Sequence, residues 1–186
     1  MRPLAPTLLL ALAALSGCPN PPPFDLTITN AGTVTTYLDG GNGSGVRIGL
    51  AEQVQGEWAS LVSNLAFLCA ERCGVPGQIV CADVAFEPAS AFALLPGEST
   101  EKSFDGELWY LDARLSCAKR APLTGAMRAT VCHDDAVVDE NGAPLPPATE
   151  SGPMGSGGGE VRPADPLCEE LPFELAGDPV VLEIVE

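Results

Sequence analysis

Basic residues are scarce in this chain. Nine Lys and Arg stand against 25 Asp and Glu in 186 residues, a net charge of -16. Such a chain lacks the cations that nucleic-acid phosphates need, and as a whole it is repelled by an anionic membrane surface. Histidine is nearly absent, with His133 the only one. A Ser-His-Asp triad would have to use it as base, and no G-x-S-x-G elbow accompanies it. Neither a G-x-G-x-x-G nor a Walker sequence occurs, which removes the common nucleotide-binding loops. The C-x-x-C pair of redox enzymes is also missing. Aromatic residues make up 5%, so a sugar platform would depend on Trp58, Trp109, Tyr37 and Tyr110. The reading is of a protein that is not an enzyme and carries no cofactor.

What is present begins with a leader. Met1 and Arg2 precede an apolar run centred on Leu8 to Leu15. One cation followed by a short apolar stretch fits a secretory signal peptide. The run falls short of the ~20 apolar residues that cross a bilayer. It ends in Leu15-Ser16-Gly17-Cys18, which resembles the lipobox of bacterial lipoproteins. The resemblance implies cleavage after residue 17 and a diacylglycerol thioether on Cys18, usually with an acylated new amino group. Two or more acyl chains suffice for stable anchoring. Residues 18–23 then form a lipidated cysteine and a Pro-rich spacer, with Pro21, Pro22 and Pro23 stiff and extended.

Six cysteines remain: Cys69, Cys73, Cys81, Cys117, Cys132 and Cys168. An even number in an exported chain points to three disulfides, but 15 connectivities are open. Joining Cys132 to Cys168 would close the long irregular segment between them. A turn signal between Cys73 and Cys81 suggests that pair, leaving Cys69 with Cys117. The rival is a zinc site from Cys69, Cys73, Cys81 and His133, although a second ligand pair at zinc spacing is missing.

The rest reads as short strands. Phe24 to Asn30 alternates apolar and polar residues, as a half-buried strand does. Thr33 to Leu38, Val46 to Leu50 and Trp58 to Val62 follow, the last two as a hairpin about Gln55-Gly56. Ser63 to Cys69 is ambiguous, with a helical turn possible. Ile79 to Phe86 and Ala89 to Leu95 are further strands, and Pro96-Gly97 suits a type II turn. Asp105-Gly106 is a hairpin signal joining Thr100–Phe104 to Leu108–Leu111. Ala126 to Cys132 alternates again, and His133 is expected in a solvated loop. Val180 to Val185, the most apolar strand, is expected inside a sheet, since an exposed edge of that kind invites aggregation. About eight short strands without a long helical period indicate an all-β sandwich or small barrel.

One segment breaks the pattern. Residues 134–166 hold six Gly and six Pro and no apolar period, so they are expected to be a flexible insertion. Residues 134–186 also carry 13 acids and one base, Arg162. Asp134, Asp135, Asp139, Glu140 and Asn141 supply oxygen ligands near a turn, off the EF-hand spacing of a calcium loop.

A set of turn and strand signatures lies within residues 24–133: Thr29-Asn30, Leu95-Pro96-Gly97-Glu98-Ser99, Phe104-Asp105-Gly106-Glu107-Leu108-Trp109, and Met127 to Cys132. It resembles the immunoglobulin-like lipoproteins of myxobacterial-type bacteria and, more distantly, is similar to the Bacillus-type intracellular proteinase inhibitor domain. The resemblance implies an immunoglobulin-like β-sandwich, here a single domain over 24–186. The reading that follows is a lipid-anchored protein of a Gram-negative envelope, more in the outer than the inner membrane, its domain in the periplasm or at the cell surface. Its expected role is binding or structural, toward an envelope protein or glycan. The alternatives are a proteinase inhibitor acting through a loop and a carbohydrate-binding accessory module.

Overall fold

The computed structural model describes residues 23–40, 45–63, 65–75, 77, 79, 81, 90–104, 107–155, 159–175 and 180–185. The expected leader 1–17, Cys18 and most of the spacer lie outside them. So do the Asp105-Gly106 turn and most of the strand expected at Ile79–Phe86.

The protein is all-β. β1 is Phe24–Asn30, β2 Thr36–Asp39, β3 Ile48–Val54, β4 Glu57–Leu61 and β5 Ala91–Leu94. β6 is Ser99–Phe104, β7 Trp109–Asp112, β8 Cys117–Arg120 and β9 Met127–Asp134. β10 is Val137–Asp139, β11 Gly152–Met154, β12 Val161–Pro163, β13 Leu167–Phe173 and β14 Val180–Ile184. A 3₁₀ turn spans Leu65–Leu68, where the sequence was ambiguous.

Two sheets face each other. The smaller has the order β14-β1-β6; the larger runs β11-β5-β2-β9-β3-β4, with β13 also paired to β9. Strict alternation makes each sheet two-faced. Leu26 and Ile28 of β1, Val180, Leu182 and Ile184 of β14, and Met127, Ala129 and Val131 of β9 are all buried. Leu26, Val180 and Leu182 pack in one cluster with Leu50, Met127 and Ala129; Ile28 and Ile184 pack in a second with Leu38, Leu94 and Val131. Burial at about 25 cal/mol per Å² of apolar surface is what holds the two layers together.

The registers give the sandwich two distinct ends. β9 runs away from Met127, and antiparallel β3 and β13 run back, with Glu52 opposite Met127 and Phe173 opposite Met127. β1 starts at Phe24, stacked on Phe104 in the cluster that holds Val54, Tyr110 and Met127. This is the entry end, which also carries the β3–β4 and β7–β8 turns. The far end holds Asn30, the Leu95–Glu98 turn, Asp134 and residues 135–166.

The expected turns form. Gln55 and Gly56 both take positive φ (54° and 86°), the type I′ geometry that suits a two-residue hairpin between β3 and β4. Gly97 has φ 76° and the Glu98 amide donates to the Leu95 carbonyl at 3.0 Å, as a type II turn requires.

Several expectations are corrected. Residues 134–166 are not without regular structure: β10 pairs β12, β11 extends the larger sheet along β5, and Leu145, Ala148, Met154 and Val161 close a small cluster over Tyr37, Ala91, Ala93 and Val137. The segment lacks an apolar period because it caps a sheet made by others. β6 and β7 do not form a hairpin; β6 pairs β1 and β7 pairs β8. β14 is an edge strand of the smaller sheet, parallel to β1, with Val181 and Val185 exposed. His133 is no loop residue: it continues the inward face of β9 and is 2% exposed. Strand expected at Thr33 begins only at Thr36.

Candidate functional site

The far end carries a cleft of about 550 Å³. One wall is the β1–β2 connection at Thr33, Val34 and Thr35, with Pro96 beside it. The other is Asp135, Ala136 and Val137 with Pro144, Leu145 and Pro147. Each wall is set by a buried or half-buried polar side chain.

Asn30 sets the first. It is 1% exposed, and burial of an amide demands partners. Its Nδ2 donates to the Val34 and Leu94 carbonyls at 2.8 Å each, and its Oδ1 accepts from the Gly32 amide at 2.9 Å. The Asn30 backbone adds an amide to the Glu98 carbonyl and a carbonyl to the Gly97 amide. One residue thus ties the 31–35 loop to the Pro96 turn.

Asp134 sets the second. Its carboxylate accepts from the backbone amides of Asp135, Ala136 and Asp165. Burial opposes its ionisation, yet the three amide donors outweigh that, and the Asp134 carboxyl is held below its ordinary range. The Leu145 amide donates to the Val137 carbonyl at 2.9 Å, and the Ala148 amide donates to the Tyr37 Oη at 3.0 Å. Asp139 closes its own turn by accepting from the Asn141 and Ala143 amides.

Three prolines stiffen the cleft, and among the described residues that line it Asp135 is the one charged group, with no cation beside it. Rigid apolar walls with one carboxylate at the rim are suited to hold an apolar or cationic group.

The other residues singled out in the sequence fall elsewhere. The six cysteines form three pairs at disulfide distance: Cys132 with Cys168, Cys69 with Cys81, and Cys73 with Cys117. The first matches expectation; the other two correct it. Cys132 and Cys168 stand directly opposite on β9 and β13. Cys73 is drawn to Cys117 because its own amide bonds the Ala118 carbonyl beside it, a contact that local turn reasoning misses. The zinc alternative fails on the same geometry, since its three sulfurs face other cysteines and His133 lies in β9, its Nε2 3.6 Å from Glu169. Among the described residues no three His, Cys, Asp or Glu side chains are grouped to hold a metal ion. Of the acids considered for calcium, Asp134 and Asp139 accept from backbone amides. Trp58 is 42% exposed, but the Arg128 guanidinium lies 4.4 Å from its ring centroid and covers one face. Arg72 stacks on Trp109 at 4.6 Å.

Sequence reasoning missed Glu52, and it missed the backbone partners of Asn30 and Tyr37. Glu52 is fully buried at the entry end and accepts from three successive amides, Leu123 at 3.1 Å, Thr124 at 2.8 Å and Gly125 at 2.9 Å. The signal was present: the inward face of Val46, Ile48 and Leu50, carried two residues further, lands on Glu52. The same step from Val131 lands on His133.

Compared with known proteins, the chain matches no family model, no curated protein and no solved structure.

Proposed function

We propose that this protein is a lipid-anchored lipoprotein of a Gram-negative envelope, held by Cys18, whose domain binds a partner through the far-end cleft. The supporting observation is the placement of the two ends. The chain enters at Phe24, while the cleft lies at the opposite end of the sandwich. A tether at Cys18 therefore points the cleft away from the bilayer, toward an envelope protein or an apolar or cationic ligand. Lipobox residues Leu15 to Cys18 supply the anchor chemistry.

Two measurements test this reading. Intact mass of the native protein should show loss of residues 1–17 and gain of two or three acyl chains; a chain that keeps Met1 or carries no acyl mass overturns the anchor. A photo-crosslinking residue at Thr33, in intact cells, should yield a discrete adduct that Leu145→Asp abolishes. Equal adducts from Thr33 and from an exposed control site such as Val181 would remove the cleft.

A further inference from the structure

The entry end exposes large apolar side chains close to where the chain enters the sandwich. Leu115 is 59% exposed, Leu111 46% and Trp58 42%. They are neighbours: Trp58, Leu111 and Arg114 line one shallow pocket between the β3–β4 hairpin and the β7–β8 turn, and Leu115 follows in that turn. Phe67, 53% exposed, sits on the 3₁₀ turn that packs against β7. A monomeric soluble surface rarely groups large apolar side chains this way.

The same pocket carries Arg114 beside Glu57 and Asp112, a surface of mixed charge with one cation. Residues 134–166 carry seven acids against Arg162 alone, which puts six of the net negative charges at the other end.

Chain length closes the case. Five residues separate Cys18 from Phe24. At ~3.3–3.6 Å per residue, they reach at most about 20 Å. Phe24, at the same end as the exposed Leu, Trp and Arg, is thus kept within that distance of whatever holds Cys18. A short tether raises the effective concentration of the second contact, so a small patch can engage.

We propose that the β7–β8 turn and its surroundings, Trp58, Leu111, Arg114 and Leu115, form a membrane-contact surface that seats the domain on the lipid bilayer. The leucines and the Trp58 ring enter the interfacial layer, and Arg114 meets lipid phosphates. The far-end acids then face away from the bilayer. This contact rests on the anchored reading, and the test separates the two.

Full-length processed protein is reconstituted into vesicles of phosphatidylethanolamine and phosphatidylglycerol, with brominated acyl chains as quencher. Trp109→Phe leaves Trp58 as the sole reporter. Its fluorescence should fall at least about two-fold on brominated vesicles, as expected for an indole at the interface. Arg114→Glu with Leu115→Asp, both exposed positions, should restore it while the acyl mass and vesicle co-flotation stay unchanged. Acylated, co-floating protein with unquenched Trp58 overturns the contact and leaves the anchor standing. Protein without acyl chains that does not float overturns both.

Discussion

The two ends of the sandwich are closed by opposite means. At the entry end one buried carboxylate, Glu52, gathers the amides of Leu123, Thr124 and Gly125, and large apolar residues fill the space behind them. At the far end the work is divided among Asn30, Asp134, Asp139 and Tyr37, each binding backbone of a segment that has few apolar residues of its own. The first arrangement concentrates stability in a single group. The second spreads it over several groups, of which Asp134 and Asp139 bond nearer to water and contribute less. A concentrated end tolerates no loss of its centre; a distributed end tolerates several small ones and leaves room for a cleft.

The largest expected effect therefore comes from Glu52. Glu52→Ala strands three amide donors, so a loss of about 3–5 kcal/mol is expected at roughly 1–3 kcal/mol per unsatisfied group. Glu52→Gln keeps one accepting oxygen and should lose less. Urea unfolding midpoints measure both, and a loss for Glu52→Ala no larger than that for any single far-end variant would break the contrast.

Next is the covalent tie beside the far-end segment. Replacing Cys132 and Cys168 together by Ser opens a closure of 36 residues. The chain-entropy model assigns such a loop about 3–4 kcal/mol. Thiol counting on unfolded, unreduced protein should find none of the six free; six free thiols would remove the bridges.

Tyr37→Phe tests one far-end bond. It takes away the acceptor of the Ala148 amide while keeping the ring in the core. A loss of about 1 kcal/mol is expected, with faster hydrogen exchange at Ala148 and little change at residues 123–125.

The smallest effect is a response to acid. The Asp134 carboxyl is held below its ordinary range, so it titrates lower folded than unfolded. Its stabilisation is present above the unfolded value, near pH 4, and fades as pH falls through the lower folded one. Exchange at Ala136 and Asp165 should quicken below about pH 4, and Asp134→Asn should flatten that dependence. An unchanged pH profile in the variant would assign the acid response elsewhere. Asp112, lowered by its bond to Lys119, titrates in the same direction at the entry end, so exchange resolved by residue is needed to tell the ends apart.

How much was legible follows from the range of each interaction. β1, β9 and the β3–β4 hairpin could be read because alternation and turn chemistry act over neighbours. The far-end strands could not, because β10, β11 and β12 are three residues each: β11 exists through the edge of β5, and β10 and β12 through each other and their packing on Tyr37 and Ala91. Partner choice was equally hidden: Asp105-Gly106 looked like a hairpin turn, yet β6 finds β1, some 75 positions away in sequence. Glu52 was within reach, since its place on an apolar face follows from the same period that identified its strand.

By itself the amino-acid order determined the all-β class and supplied six cysteines between residues 69 and 168, since composition and near-neighbour periodicity suffice for each. Only tertiary structure decided which cysteines meet, which side chains the buried amides bind, and that the chain entry and the cleft lie at opposite ends. Those depend on residues brought together from 12 to 111 positions apart, and no local pattern carries that information.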